Sequence, residues 1–276
     1  MCRGASILIL LCSLLVSFSI CEGKKLRIVD GARVNSIKDY PFQASLHYGL
    51  FGHLCGASII NKRYLLTAGH CVHAYGDKEP LDPEVAEVVV GTQHLSAPSA
   101  QRYGVEEFKL HPEFKTLEYK PYYADLALVK LKEDLEFSEK VQPAKLPEAD
   151  HEVEDGSTVI LTGWGYTTFN ADDSEDFLRY TKMQVYDNQK CRDEWRASVN
   201  EYESDIRFLI MVTKEMICIK GGGNFCDGDS GGPVIDRDHV QIGVMSFNDD
   251  CGSQLPSVAT DLRVWRSWII DASKIE

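Results

Sequence analysis

Val240-Gln241-Ile242-Gly243-Val244-Met245-Ser246 sets its β-branched residues at alternate positions, which suits a strand buried on one face. Outward from it, the chain from Phe42 is a succession of short apolar or alternating runs punctuated by Gly, Pro, Asn and Asp. The readable strands are Phe42 to Tyr48, Ser58 to Asn61, Tyr64 to Ala68, Val85 to Val90, Asp125 to Leu131, Thr158 to Thr162, Lys182 to Tyr186, Val240 to Phe247 and Ser257 to Leu262. Many short strands with turn residues between them make a β-barrel or sandwich. Only the C-terminal end reads as helix, where Val264, Trp265, Trp268 and Ile269 form one apolar stripe expected to dock on the body. The stretch from Cys191 to Cys218 is the least regular and reads as a long surface loop, partly buried over Phe208 to Val212. No repeat, low-complexity tract or Pro/Ser-rich linker divides the chain, so a single unit with two sub-barrels is expected.

The composition fits an ordinary globular chain large enough for a substantial core: 276 residues, 44% hydrophobic and 26% charged. Residues 1–21 form an apolar run too short to span a bilayer comfortably and are read as a secretory signal. The cut is placed after Cys21, with Gly23 as a nearby alternative. Cys2, Cys12 and Cys21 leave with the signal. Cys55, Cys71, Cys191, Cys218, Cys226 and Cys251 remain, an even number that implies three disulfides in an exported protein, although counting leaves the pairing open. No CxxC pair supports a zinc site instead. The formal net charge is −13, and residues 1–27 contribute Arg3, Lys24, Lys25 and Arg27 against Glu22, so the remainder is more acidic still. Such a surface argues against nucleic acid or anionic membrane as a partner.

The strongest chemical signal is Gly228-Asp229-Ser230-Gly231-Gly232-Pro233. A serine hydroxyl is a weak nucleophile that needs an adjacent base and N–H groups aimed at the oxygen that becomes negative. Glycines on both sides let the chain turn so that such N–H groups converge. His70, in Leu66-Thr67-Ala68-Gly69-His70-Cys71, ends an apolar strand and is pinned by a cysteine, as a catalytic imidazole requires. His47, His53, His73, His94, His111, His151 and His239 stand in polar or turn-like settings where solvation is the default reading. Asp125 heads the apolar run Ala124-Asp125-Leu126-Ala127-Leu128-Val129, where a charge is costly without a partner, so it is the candidate to orient the imidazole.

Taken in order, Arg27-Ile28-Val29-Asp30-Gly31, TAGHC, DLAL and GDSGGP resemble the chymotrypsin-family serine peptidases over residues 28–276. The resemblance implies an all-β fold of two six-stranded antiparallel barrels, with the site between them and a C-terminal helix. It makes His70 the general base, Asp125 its orienting partner, Ser230 the nucleophile, and the amides of Gly228 and Ser230 the oxyanion hole. Residues 1–21 are then the signal and 22–27 an activation peptide cut after Arg27 by a trypsin-like protease, so that the Ile28 amine pairs with Asp229. The disulfides it implies are Cys55 with Cys71, Cys191 with Cys218 and Cys226 with Cys251. A further bridge of some relatives would need cysteines at Val159 and Asp236, where both are lacking.

The same resemblance builds the substrate pocket from Asn224, Phe225, Ser246, Phe247, Asn248 and Ser257. Trypsins carry an aspartate at the floor, where this chain has Asn224, so cleavage after Lys or Arg is expected to be poor. Asn248 and Ser257 stand where glycines usually leave room, so an elastase-like narrow pocket is expected, with a chymotrypsin-like one if Asn248 swings outward. Gly91 to Tyr103 contains no acid, so the trypsins' calcium site is not expected, nor is any other metal or cofactor. No N-glycosylation sequon occurs. The expected product is a secreted, monomeric endopeptidase acting on proteins or peptides in a digestive or salivary setting. The rival reading is a catalytically silent homologue that serves as a binding protein.

Overall fold

The computed structural model describes residues 31–73, 80–114, 122–166, 176–199, 212–251 and 253–275. The signal, Arg27 and Ile28 lie outside these residues, as does most of the expected buried segment from Phe208 to Val212, of which Val212 is described and buried.

The chain forms two closed antiparallel barrels of six strands each. The first is built from β2 (Gln43–Tyr48), β3 (His53–Ile59), β4 (Tyr64–Thr67), β5 (Ala86–Val90), β6 (Gln101–Leu110) and β7 (Ala127–Leu131), in the order β2-β3-β4-β7-β6-β5. The second uses β8 (Thr158–Gly163), β9 (Arg179–Tyr186), β10 (Met216–Lys220), β11 (Pro233–Asp236), β12 (Gln241–Phe247) and β13 (Ser257–Asp261), and closes because β8 pairs with both β9 and β11. The short β1 (Ala32–Arg33) adds to the outer edge of β9.

β12, whose alternation pointed to the fold, is buried on both faces. Ile242 and Met245 enter the core of the second barrel, whereas Val244 packs with Leu262 and Trp265 in the core that the first barrel shares with the C-terminal helix. The one-face expectation fails because this strand lies where the barrels meet. Several strands escape a period-two reading. In β6, Tyr103, Val105 and Phe108 are buried, but a bulge between Val105 and Glu107 breaks the alternation. β10 and the first half of β3 are also additions, as is β11, which is short and opens on a proline.

Two α-helices are present among the described residues. α1 (Asn188–Val199) occupies part of the stretch expected to be irregular. Asp187 caps it, its Oδ1 accepting from Lys190 N at 2.7 Å, and Cys191 and Trp195, four residues apart, turn one face inward. That capping aspartate and spacing were the available signal. In α2 (Leu262–Ser273) the buried positions are Leu262, Trp265, Ile269 and Ser273, while Val264 points outward, so the expected stripe shifts around the helix. Asp261 caps α2 by accepting from Arg263 N, and the Arg263 guanidinium returns to the same carboxylate.

The disulfides are Cys55–Cys71, Cys191–Cys218 and Cys226–Cys251. The first closes a loop of 16 residues and ties β3 to the turn carrying His70, a constraint of about 3 kcal/mol on the unfolded chain. Val159 and Asp236 are direct neighbours across β8 and β11, so the pair lacking cysteines does face itself in register.

Candidate active site

β4 ends at Thr67 and the chain tightens into a 3₁₀ turn over Gly69–Cys71, which holds His70 at the rim of the first barrel. Asp125 lies just before β7, fully buried. Its Oδ2 accepts from His70 Nδ1 at 2.8 Å and from the Ser246 hydroxyl, and its Oδ1 accepts from His70 N at 2.9 Å. Three donors on one carboxylate compensate its loss of water, and they fix the imidazole through Nδ1, with Nε2 3.9 Å from Cys71 Sγ. Burial of His70 opposes its charge, but the adjacent Asp125 carboxylate outweighs that and raises the imidazole pKa above 6.5. Tyr122 and Ala124, just before Asp125, both adopt positive φ, 63° and 49°. A side chain rarely accepts that conformation, and such strain is kept where the surroundings dictate it. The Tyr122 ring stands edge-on to His70 with centroids 5.6 Å apart and lies 5.1 Å from the Phe247 ring, forming an aromatic wall beside the imidazole.

Ser230 sits in the loop between β10 and β11, which is laced to both barrels. Gly56 N donates to Ser230 O at 2.8 Å, Gly231 N donates to Met245 O of β12 at 2.8 Å, and Met245 N donates back to Gly232 O at 2.9 Å. Gly228 has φ 90°, and a Cβ on Gly231 would lie 2.2 Å from Thr67 Oγ1, so glycine is required at both places. The intervening Asp229 is buried, with Gly165 N donating to Oδ1 at 2.8 Å and Cys226 N to Oδ2 at 3.0 Å. Burial nevertheless pushes its pKa up to about 7.

Several of the residues expected at the substrate pocket are linked. Asn224 is buried, its Oδ1 accepts from the Ser257 hydroxyl and from Phe225 N, and its Nδ2 donates to Asp250 O at 3.3 Å. The Asn248 side chain turns inward and donates from Nδ2 to Phe225 O at 2.6 Å. Only the backbone of Phe225 joins this network, because its ring belongs to the core of the second barrel with Val159, Leu161 and Met183. Phe247 is buried against Trp195 of α1 and Tyr122, and Ser246 directs its hydroxyl to Asp125. A cavity of about 370 Å³ touches Asn224 and Ser257 and extends toward Gly221–Gly223 and Ser253–Leu255. Ser230, Ser246, Phe247 and Asn248 do not line it.

A family model described as Trypsin matches residues 28–269. The chain belongs to the trypsin family. It is 31% identical over 254 residues to Trypsin 5G1 of Aedes aegypti, covering 90% of this chain and 85% of that protein. It is 30% identical over 256 residues to the Suppressor of tumorigenicity 14 protein homolog of Bos taurus, covering 88% of this chain and 28% of the longer relative. The protein is accordingly a trypsin-like serine endopeptidase, a hydrolase whose substrates are proteins.

In this trypsin-family chain the structure also engages residues that sequence reasoning left aside. His53, read as solvated, is half-buried with both ring nitrogens in use. Nε2 lies 2.9 Å from Gly228 O, which can only accept, so Nε2 carries the proton and Nδ1 accepts from Ser45 Oγ at 2.6 Å. Burial, then the neighbouring His47, lowers the His53 pKa to about 4, which keeps this tautomer at neutral pH. His53 therefore holds the Gly228 carbonyl, whose peptide carries the Asp229 N–H that donates to Cys226 O at 2.9 Å, just before Ser230. Its cue was proximity to Cys55. His47, His73 and His111 are likewise buried rather than solvated, whereas Tyr122 gave no cue because a strained φ is invisible in sequence.

Proposed function

We propose that this chain is the secreted precursor of a serine endopeptidase, cut after Arg27, which then works through an acyl-enzyme on Ser230. The observation that carries the reading is the His70 imidazole held by fully buried Asp125, on a turn whose preceding residue Ala68 lies against Gly231, next to Ser230. Ser230 Oγ attacks the scissile carbonyl as His70 Nε2 takes its proton. Asp125 stabilises the imidazolium, and Gly228 N and Ser230 N receive the oxyanion. His70 then delivers the proton to the leaving amine, and water repeats the sequence on the ester. A silent homologue is disfavoured because His70, Asp125 and Ser230 are all present and the first two are paired.

The buried Asp229 supports activation by cutting. A carboxylate whose charge is opposed by burial is stabilised by an ammonium, and the Ile28 amine freed after Arg27 is the candidate. Three disulfides support export, and no helix among the described residues is long and apolar enough to cross a membrane. A monomer in a digestive or salivary secretion fits this reading.

The pocket favours small uncharged residues before the scissile bond. A buried Lys or Arg would face Asn224, already engaged with Ser257, with no counter-charge. A large side chain would have to displace Asn248 from Phe225 O, a bond of about 1 kcal/mol, so narrowness is a preference of roughly tenfold rather than a block.

The test is organophosphate labelling before and after trypsin-like cleavage. The expected result is a single adduct on Ser230 in cut protein, and none in uncut protein or in secreted Arg27→Gln. Full labelling of the uncut chain refutes activation, and no labelling of the cut chain refutes the enzymatic reading.

A further inference from the structure

We propose that Thr260, on the second barrel, is a positioning residue for the reaction, its hydroxyl holding the main chain of Asp125 so that the carboxylate stays in register with His70. The inference rests on the proposed peptidase reading and names a residue through which one barrel sets the acid of the other.

The stretch that carries Asp125 needs outside support. Tyr122 and Ala124 take positive φ of 63° and 49°, conformations that residues with a Cβ disfavour and keep only where the surroundings dictate them. Local bonds secure the carbonyls on either side of Asp125, since Leu126 N donates to Ala124 O at 2.7 Å and His111 N to Leu126 O at 3.0 Å. The carbonyl between them, that of Asp125 itself, accepts from Thr260 Oγ1 at 3.2 Å, across 135 residues of chain. Both residues are buried, so bulk water is not at hand to replace the hydroxyl.

Thr260 is itself fixed. It lies in β13, paired with Val244 of β12 on one side and Met216 of β10 on the other, one residue before the Asp261 cap of α2. A β-branched side chain in such a strand has little χ1 freedom, so the hydroxyl is presented at one point. The neighbouring strand β12 supplies a second grip, because Ser246 directs its hydroxyl to Asp125 Oδ2. Adjacent strands of the second barrel thus hold the main chain and the side chain of the same residue. The turn is backed further by Trp265 of α2, whose ring meets the Tyr123 ring edge-on with centroids 5.6 Å apart. Main-chain position matters because Asp125 reaches His70 at two points, Oδ1 to His70 N and Oδ2 to Nδ1. A shift of the Asp125 backbone that lengthens either bond weakens support of the imidazolium and misaligns the base.

The test uses enzyme cut after Arg27 and a peptide with Ala before the scissile bond, and compares Thr260→Val and Thr260→Ser with the wild type. Thr260→Val keeps the branched shape and removes the donor. It should lower kcat by about tenfold with KM within about twofold. Its pH midpoint for kcat should fall below that of the wild type, because a loosened Asp125 favours the imidazolium less. Thr260→Ser gives up a methyl group but keeps the hydroxyl, so kcat should stay within about threefold and the midpoint unmoved even where the melting temperature drops. In Asp125→Asn, adding Thr260→Val should cost at most about twofold, since the effect runs through the carboxylate. Thr260→Ala carries the same expectations as Thr260→Val if the latter does not fold. A Thr260→Val enzyme that melts earlier but keeps the wild-type kcat and midpoint overturns the proposal. So does a loss confined to KM, or a Thr260→Ser variant that falls in step with Thr260→Val. A cut wild type that cleaves neither this peptide nor denatured casein overturns the peptidase reading, and this inference with it.

Discussion

The two sides of the cleft are built on opposite principles. On the first-barrel side, His70 and Asp125 stand at strand ends, and the buried carboxylate is saturated by two N–H groups and the Ser246 hydroxyl. On the pocket side, Asn224, Asn248 and Ser257 satisfy mainly one another with neutral side-chain and backbone bonds. Removing one partner of the buried charge pair leaves the other uncompensated, whereas an amide latch can be exchanged at about 1 kcal/mol. The lesson is that the chemistry is held rigidly while the selectivity is held lightly, so mutations on the two sides should differ in kind as well as in size.

The largest effect should come from the rigid side. Ser230→Ala or His70→Ala should lower kcat by about 10⁴-fold or more with the fold intact, read by active-site-independent thermal unfolding alongside kinetics. Asp125→Asn should cost about 10⁴-fold in kcat. It should also shift the pH profile in a definite direction. Asp125 favours the imidazolium, so in the wild type activity should rise with pH through a midpoint above 6.5, and in Asp125→Asn that midpoint should fall. A wild-type profile flat from pH 5 to 8 breaks the assignment of His70 as base.

His53 joins the two sides, because it holds Gly228 from the first barrel. His53→Phe should lower kcat by about 10–100-fold with little change in KM, as expected when the backbone leading into Ser230 loses its hold on the first barrel. A change confined to KM would place His53 outside the chemistry. The lightly held side gives the smallest effect. Asn248→Gly should remove the latch and raise kcat/KM for Phe relative to Ala before the cut by about tenfold, leaving turnover of the Ala substrate nearly unchanged.

The same contrast explains what could be read in the sequence. His70, Asp125 and Ser230 stood out because a buried acid beside an apolar strand and a serine among glycines have few other uses. The disulfide pairing came from the family resemblance, and the structure matches it. The barrels were legible from alternation, except where a bulge in β6 broke the period and where α1 replaced an apparent loop. The pocket was legible as a set of positions but not as an arrangement. Whether Asn248 points inward, and whether Phe225 contributes its ring or only its carbonyl, depends on packing that no local pattern encodes. His53 was missed for a related reason, since its partner Gly228 is 175 residues away.

The most direct measurement of the account is a peptide-library digest with enzyme cut after Arg27, scored for the residue before each new terminus. The account predicts dominant cleavage after Ala, Val or Ser, with Phe and Leu behind and Lys and Arg rare. Dominant cleavage after Lys or Arg would contradict it, because Asn224 and its Ser257 partner supply no charge to hold a buried cation.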